Sequence, residues 1–281
     1  MPELPEVETI VRELAPRLTG RTIRRAALAK TDVLRGVSRP RLLRILTGSR
    51  ITTVTRRAKH AVLHLSRGPR LVIQPRMTGA LIAYDRPLDP GERRYAVLTC
   101  RLDDGQLLVF RDVRRLGTIA LLDDRGWARY SSRLGPEPLE EAFTPAVFAE
   151  RLRGARAAVK KAIMDQRRLV GVGNIYANEA LFQAGIDPSL ATHRLDAPAL
   201  ERLYHAIRDI LGRAIASSGT TVRDYRTGTG EPGSFQFSLD VYDRGGEPCR
   251  RCGRRLLTTH AIDGRQTTMC WWCQGSAKRG A

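Results

Sequence analysis

Long apolar runs are missing from this chain, and none approaches the length that a membrane span needs. It opens Met-Pro-Glu-Leu-Pro-Glu, without the basic and apolar regions of a secretory leader. A cytoplasmic protein with no membrane partner is the expectation. Acidic residues are scarce as well: 29 Asp and Glu stand against 48 Lys and Arg, a formal charge of +19. That surplus favours a polyanionic partner, with duplex DNA or RNA first and an anionic membrane second. An Arg- and Ala-rich composition set by genome bias gives the same surplus.

Cysteine is scarce and unevenly spread. Four of the five form Cys249-Arg-Arg-Cys252 and Cys270-Trp-Trp-Cys273, seventeen residues apart, and only Cys100 lies elsewhere. Two close pairs of thiolates suit a tetrahedral Zn²⁺. Two disulfides or four unpaired thiols are the plainer alternatives. Four protein ligands leave no position for a catalytic water, so one structural zinc and no organic cofactor are expected. Thiolate ligands also agree with a reducing compartment. Arg250, Arg251, Arg254, Arg255 and Arg265 lie within or between the pairs, and Lys278 and Arg279 follow. The pattern reads as a small zinc module that touches phosphate.

With 281 residues, 42% hydrophobic and 27% charged, the chain is long enough for two folded domains. Pro5 suits the first turn of a helix running through Leu14, with Glu6 in that turn and Pro16 ending or kinking it. Carboxylates at a helix N-terminus need no further explanation. A second reading concerns Pro2. Removal of Met1 leaves a secondary amine, and α-amines titrate at about 7.7–8.0, so part of it is nucleophilic at working pH. Such an amine can attack a masked aldehyde and give an iminium, which is an electron sink.

Strand-like segments follow at 22–28, 43–46, 51–56, 61–65, 71–73, 80–84, 95–102 and 106–111, separated by turns such as Asp89-Pro-Gly. Many short strands without intervening helices suggest a β-sandwich or barrel with the first helix packed on one side. Three loops interrupt it. Arg56 to His60 is a basic turn in which Lys59 can meet a phosphate or simply face solvent. Pro75 to Gly79 carries Met77, and Arg111 to Gly117 carries Arg114 and Leu116. If those two loops converge, they offer an apolar wedge and a cation for a vacated base stack.

A Pro/Gly-rich linker falls at 131–141, and helical patterns follow at 144–153, 156–165, 176–184 and 198–217. Gly171 and Gly173 sit in a helix–helix turn, and Asn174 is a candidate N-cap for the next helix, with Glu179 five residues on. Amides at such a terminus bind phosphate, although a plain turn is an adequate account. The Gly- and Pro-containing segment 228–234 reads as a connector to the zinc module, or as a lid. The division by sequence is 1–130 for a β-sandwich domain, 131–141 for a linker, 142–235 for a helical domain and 236–281 for a zinc finger.

Pro2-Glu-Leu-Pro-Glu-Val-Glu-Thr9, Gly171-Val-Gly-Asn-Ile-Tyr-Ala-Asn-Glu179 and the four cysteines together resemble the formamidopyrimidine-DNA glycosylase family of bacterial base-excision repair. The resemblance covers nearly the whole chain. It implies a β-sandwich joined to a helical domain with a helix–two-turn–helix motif and a zinc finger, with DNA bound between them. Pro2 would be the nucleophile at C1′, Glu3 the acid/base group and Glu6 a buried support. Lys59, Asn174 and Arg265 would bind phosphates beside the lesion. Lys160 would make a further backbone contact, Glu179 would serve near the helical motif, and Met77 and Arg114 would intercalate. The implied substrates are 8-oxoguanine and ring-opened formamidopyrimidines in duplex DNA, excised through a Schiff base and β,δ-elimination by a monomer.

Some positions depart from the family pattern. Leu116 replaces a common phenylalanine, so a wedge remains but aromatic stacking is lost. Gln74-Pro-Arg-Met-Thr-Gly79 replaces the usual His-Leu-Gly-Met-Ser/Thr-Gly, and Val113 replaces a common proline. The gap from Cys252 to Cys270 is one residue longer than in several relatives, and 223–235 is not a verbatim match. An endonuclease VIII-like preference for oxidised pyrimidines and a non-catalytic role in binding damaged DNA are the competing readings.

Overall fold

The computed structural model describes residues 2–275. Met1, Lys278 and Arg279 lie outside them. By contacts the chain falls into two units: the described residues through Arg133 with Ile215–Gln236, and Leu134–Ala214 with the described residues from Phe237 onward. The return of 215–236 to the first unit is not contained in a division by sequence order.

In the first unit, helix α1 (Leu4–Leu18) carries Pro5 in its first turn, and the Glu6 carboxylate accepts from the Glu3 amide at 2.7 Å. Val7, Ile10, Val11, Leu14 and Leu18 are buried along one face. Pro16 lies inside the last turn, and the helix runs to Leu18 with Thr19 as its C-cap. The strands are β1 (Ile23–Leu28), β2 (Leu34–Arg35), β3 (Ile51–Arg57), β4 (His60–Leu65), β5 (Arg70–Gln74), β6 (Gly79–Tyr84), β7 (Ala96–Leu102), β8 (Leu107–Asp112) and β9 (Thr118–Leu122). They build a four-stranded sheet in the order β1-β7-β8-β6 and a five-stranded sheet in the order β2-β9-β5-β4-β3. All pairings are antiparallel except the short β2–β9 pair. One apolar core takes Ile23 and Leu98 from the first sheet, Leu63 and Ile73 from the second, and Ile10 and Leu14 from α1. This is the expected sandwich with a flanking helix. Cys100 is fully buried in that core, and burial pushes its thiol up to about 12, so it packs as an apolar residue.

Segment 43–46 is not a strand. It closes helix α2 (Arg39–Leu46), because Ser38 accepts from the Arg41 amide as N-cap and Pro40 favours the first turn. Asp89-Pro-Gly likewise opens a short helix, α3 (Pro90–Tyr95), through a capping box with Glu92. Helix α4 (Asp124–Ser131), capped by Asp123, follows β9.

The second unit contains α5 (Pro145–Leu152), α6 (Val159–Met164), α7 (Asn174–Ala184) and most of α8 (Ala197–Ala216). Phe143, Phe148 and Tyr204 pack ring against ring, and the Tyr204 hydroxyl donates to the Phe143 carbonyl at 2.7 Å. Gly185 ends α7 in the left-handed conformation, φ 68°. A hairpin of β10 (Leu257–Thr259) and β11 (Thr267–Met269) follows, then the short helix α9 (Trp271–Gln274). Among the described residues no helix is long and apolar enough to cross a membrane.

Candidate active site and nucleic-acid interface

Pro2, Glu3 and Glu6 are buried at the start of α1. Glu6 holds this end in place with both carboxylate oxygens. One accepts from the Glu3 amide at 2.7 Å, the other from the Thr220 amide at 2.8 Å. The Thr220 turn fits because Gly219 has φ 80° and comes so close to Glu6 that an added Cβ would lie 3.0 Å from its oxygen. Tyr225 is buried beside them, its hydroxyl 3.2 Å from the Glu6 carbonyl and 3.1 Å from that of Ser218. Burial and the adjacent Glu6 carboxylate push its phenol well above the usual range. Glu6 is therefore occupied with backbone donors and supports Pro2 and Glu3. Segment 228–234 is not a loose connector: Gly228 accepts from the Ala83 amide, and the Glu13 carboxylate accepts from the Thr229 amide.

Lys59 is 7% exposed in the two-residue turn joining β3 to β4. Ala58 before it adopts φ 53°. Glu8 on α1 accepts from Arg56 at 2.7 Å, and Arg56 donates to the Ala58 carbonyl at 3.0 Å, so the helix holds the turn. Burial raises the Glu8 carboxyl, but the bonds from Arg56 and Arg12 outweigh it and keep it below its ordinary range.

The loops of Met77 and Arg114 do converge. Asp112, 2% exposed, accepts from the Thr78 hydroxyl at 2.5 Å, the Arg114 amide at 3.3 Å and the Gly117 amide at 2.7 Å. The contact is close enough that a Cβ on Gly117 would lie 2.9 Å from the Gln74 carbonyl. Met77 and Val113 are each 46% exposed and Arg114 is exposed, whereas Leu116 is half-buried. Val113 is an exposed apolar residue on the Arg114 loop that was not singled out for a wedge from sequence. Its position in a polar, arginine-rich stretch was the available signal.

In the second unit, Arg265 is exposed on the turn between β10 and β11, where Gly264 has φ 73°. It borders a cavity of about 510 Å³ that Arg156, Lys161, Arg167 and Arg168 also line. Lys160 does not reach solvent. It is 0% exposed, donates to the Thr267 hydroxyl at 2.6 Å and the Gln266 carbonyl at 3.2 Å, and lies 3.5 Å from Asp263. A buried ammonium must spend its donors locally, and here it braces the hairpin that carries Arg265. Asn174 sits in the first turn of α7 and is not its cap; Gly173 is. The Asn174 side chain donates to the same Gln266 carbonyl at 3.0 Å, and its Oδ1 is buried without a partner among the described residues. Asn178 accepts from the Thr268 amide at 2.9 Å.

Glu179 is 1% exposed and takes the amides of Asp240, Val241 and Tyr242 at 2.7–3.0 Å. Burial pushes its carboxyl up and the three amides pull it back. It organises the approach to the cysteines.

Cys249, Cys252, Cys270 and Cys273 bring their sulfurs within 4.8 Å of one another. Cys249 and Cys273 are 3.9 Å apart, Cys252 and Cys270 3.5 Å. A tetrahedron with Zn–S of about 2.3 Å places sulfurs about 3.8 Å apart, so the donor set fits a metal ion of that kind. Two of the nearby arginines are structural. Arg251 donates to the Phe182 and Gln183 carbonyls at the end of α7, and Arg254 lies 3.7 Å over the Trp272 ring.

Comparison with known proteins agrees with this geometry. Residues 1–119 match the formamidopyrimidine-DNA glycosylase N-terminal domain, and residues 134–226 match the H2TH domain of the same enzymes. The chain is 44% identical over 277 residues to the formamidopyrimidine-DNA glycosylase of Chloroflexus aggregans, covering 98% of each chain. A crystal structure of the MutM (Fpg) protein of Thermus thermophilus is similar at TM-score 0.85 and 37% identity, covering 97% of this chain and 98% of that one. The Lactococcus lactis Fpg in complex with DNA containing an abasic site is similar at TM-score 0.88 and 33% identity, with 97% and 99% covered.

Proposed function

This chain belongs to the formamidopyrimidine-DNA glycosylase family, and from that premise we propose how its own residues act as a DNA glycosylase and abasic-site lyase on oxidised purines. The observation that carries the assignment is the seating of Pro2 and Glu3 by the doubly bonded Glu6 carboxylate. With Met1 removed, the Pro2 nitrogen attacks C1′ of the damaged nucleotide and the base leaves with the glycosidic electron pair. Glu3 delivers and takes the protons of sugar opening and base departure. The resulting iminium accepts electrons from the C2′–H bond, so the 3′ phosphate leaves by β-elimination and the 5′ phosphate by a second elimination. Hydrolysis then frees Pro2.

Lys59 and Arg265 bind phosphates, and the amides at Gly173 and Asn174 assist. Met77 and Val113 supply the apolar wedge in duplex DNA, with Leu116 behind them and Arg114 as the cation. The four cysteines hold one zinc ion, which when bound fixes the hairpin bearing Arg265. A thiolate-held zinc and a DNA substrate suit the bacterial cytoplasm. All the proposed residues come from one chain, so a monomer suffices.

Borohydride added with an 8-oxoguanine duplex should trap a covalent adduct on Pro2 of a chain lacking Met1, located by mass spectrometry. Pro2→Gly should cut trapping and Glu3→Gln should cut excision. A panel adding ring-opened purines and oxidised pyrimidines tests the substrate class; no adduct on any of them sinks the proposal, and adducts on pyrimidines alone sink its purine assignment.

A further inference from the structure

Helix α4 joins none of the motifs that carry the family resemblance, yet its last turn reaches the Lys59 turn at two points. The Tyr130 hydroxyl lies 2.6 Å from His60 Nε2, and Arg57 Nε donates to the Ser131 hydroxyl at 3.2 Å. His60 Nδ1 lies 3.1 Å from the Arg57 carbonyl, so the imidazole spans the turn from one flank to the other. The protons can be assigned by chemistry. His60 is 5% exposed, and burial holds it neutral with its pKa lowered to about 4; the bond to the Arg57 carbonyl opposes this, and the charges of Arg57, Arg76 and Lys59 reinforce it. A neutral imidazole facing a carbonyl at Nδ1 must donate there, which leaves Nε2 as acceptor and Tyr130 as donor.

The anchor itself is braced. Tyr130 meets the His60 ring edge-on at 5.4 Å and stacks on Trp127 at 6.2 Å. Arg70 from β5 lies 5.7 Å over Trp127 and donates to Asp124 at 2.7 Å. Ala58, between Arg57 and Lys59, sits in the left-handed region at φ 53°, which a non-glycine residue leaves unless its surroundings hold it.

We infer that Tyr130 and His60 are positioning residues that hold the strained turn and thereby aim the Lys59 ammonium at the phosphate beside the lesion. The inference rests on the phosphate-binding role proposed for Lys59. Neither residue touches DNA. Their chain of bonds, Tyr130 to His60 to the Arg57 carbonyl, ties the residue after Lys59 to the backbone before the turn, while Glu8 and Arg56 hold the Ala58 carbonyl next to Lys59.

The test is a double-mutant cycle of Tyr130→Phe and Lys59→Met. Its readouts are affinity for a duplex containing an abasic-site analogue and the single-turnover trapping rate. Tyr130→Phe alone should weaken both, by about tenfold in rate. With Lys59→Met already present it should change neither by more than about twofold, the margin within which independent sites add. A wild-type rate for Tyr130→Phe overturns the inference, and so does the same fold-loss in both backgrounds, which is what general destabilisation of the sandwich would give. If Tyr130→Phe melts at the assay temperature, Ser131→Ala cuts the second link to the turn and is read in the same cycle. These outcomes are distinct from failure of the function proposed above, which appears as a wild-type protein that traps no adduct.

Discussion

His60 ties the chemistry of one residue to the stability of the sandwich. The unfolded chain protonates it near the ordinary value of 6.5, whereas the folded protein does so only at about 4. Between those values the unfolded state binds more protons, so stability is full above pH 6.5 and declines as pH falls towards 4. The full shift corresponds to roughly 3 kcal/mol. Half-buried His64, also lowered by burial, adds a slope of the same sign. His60→Phe should flatten the dependence of Tm on pH between about 4.5 and 6.5; an unchanged slope would show that the titration lies elsewhere. At this scale Pro2, Glu3, Lys59 and Arg265 could be picked out as candidates from the sequence, because reactive or charged residues stand out in short motifs. It did not expose the burial of Lys160 and Glu179. Whether a charge meets solvent or a set of amides depends on residues far along the chain, here Thr267 for Lys160 and 240–242 for Glu179.

Among the elements, strained turns accompany the site loops. Among the described residues of the first unit, four non-glycine residues have positive φ: Ala58 beside Lys59, Arg76 beside Met77, Arg115 between Arg114 and Leu116, and Ser218 beside the turn that binds Glu6. Such backbone costs about 1 kcal/mol or more wherever a Cβ is present. Arg76 stands where the family commonly has glycine, is exposed, and has its Nε 3.3 Å from Gln74. Arg76→Gly should therefore raise stability by up to about 1 kcal/mol. It should also weaken DNA binding if the guanidinium joins the Lys59 cations, with the salt slope falling by about one. Calorimetry and a salt titration read the two effects separately, and a lower Tm would refute the strain argument. The strands and long helices were legible because their apolar spacing repeats. Helix α2 was not, since 43–46 taken alone reads as a strand and the signal was its cap at Ser38. Helix α4 was hidden by its shortness and polar composition: Trp127 and Tyr130 are its only large apolar anchors, and neither is fully buried.

For the whole molecule, the two units rest on different sources of order. The first has a continuous apolar core lined by two sheets and α1. The core around the cysteines is small, joining Phe182, Val241 and Leu256 to Cys249 and Cys270, and a hairpin of that size needs a cross-link to persist. Its remaining order comes from polar bonds to α6 and α7, made by Lys160, Asn174, Asn178 and Glu179. The bonds of Lys160, Asn174 and Asn178 converge on 266–268, directly after Arg265, while Glu179 holds 240–242. Loss of metal should accordingly be felt at Arg265 before it is felt in the sandwich. Chelation, or Cys252→Ser, should increase hydrogen exchange across 240–275 and weaken affinity for lesion DNA. Exchange of the core amides in β4 and β5 should stay at the wild-type level. Equal loss of protection in β4 would show that the sandwich depends on the cysteine module, and unchanged affinity would show that the polar bonds hold Arg265 without the metal.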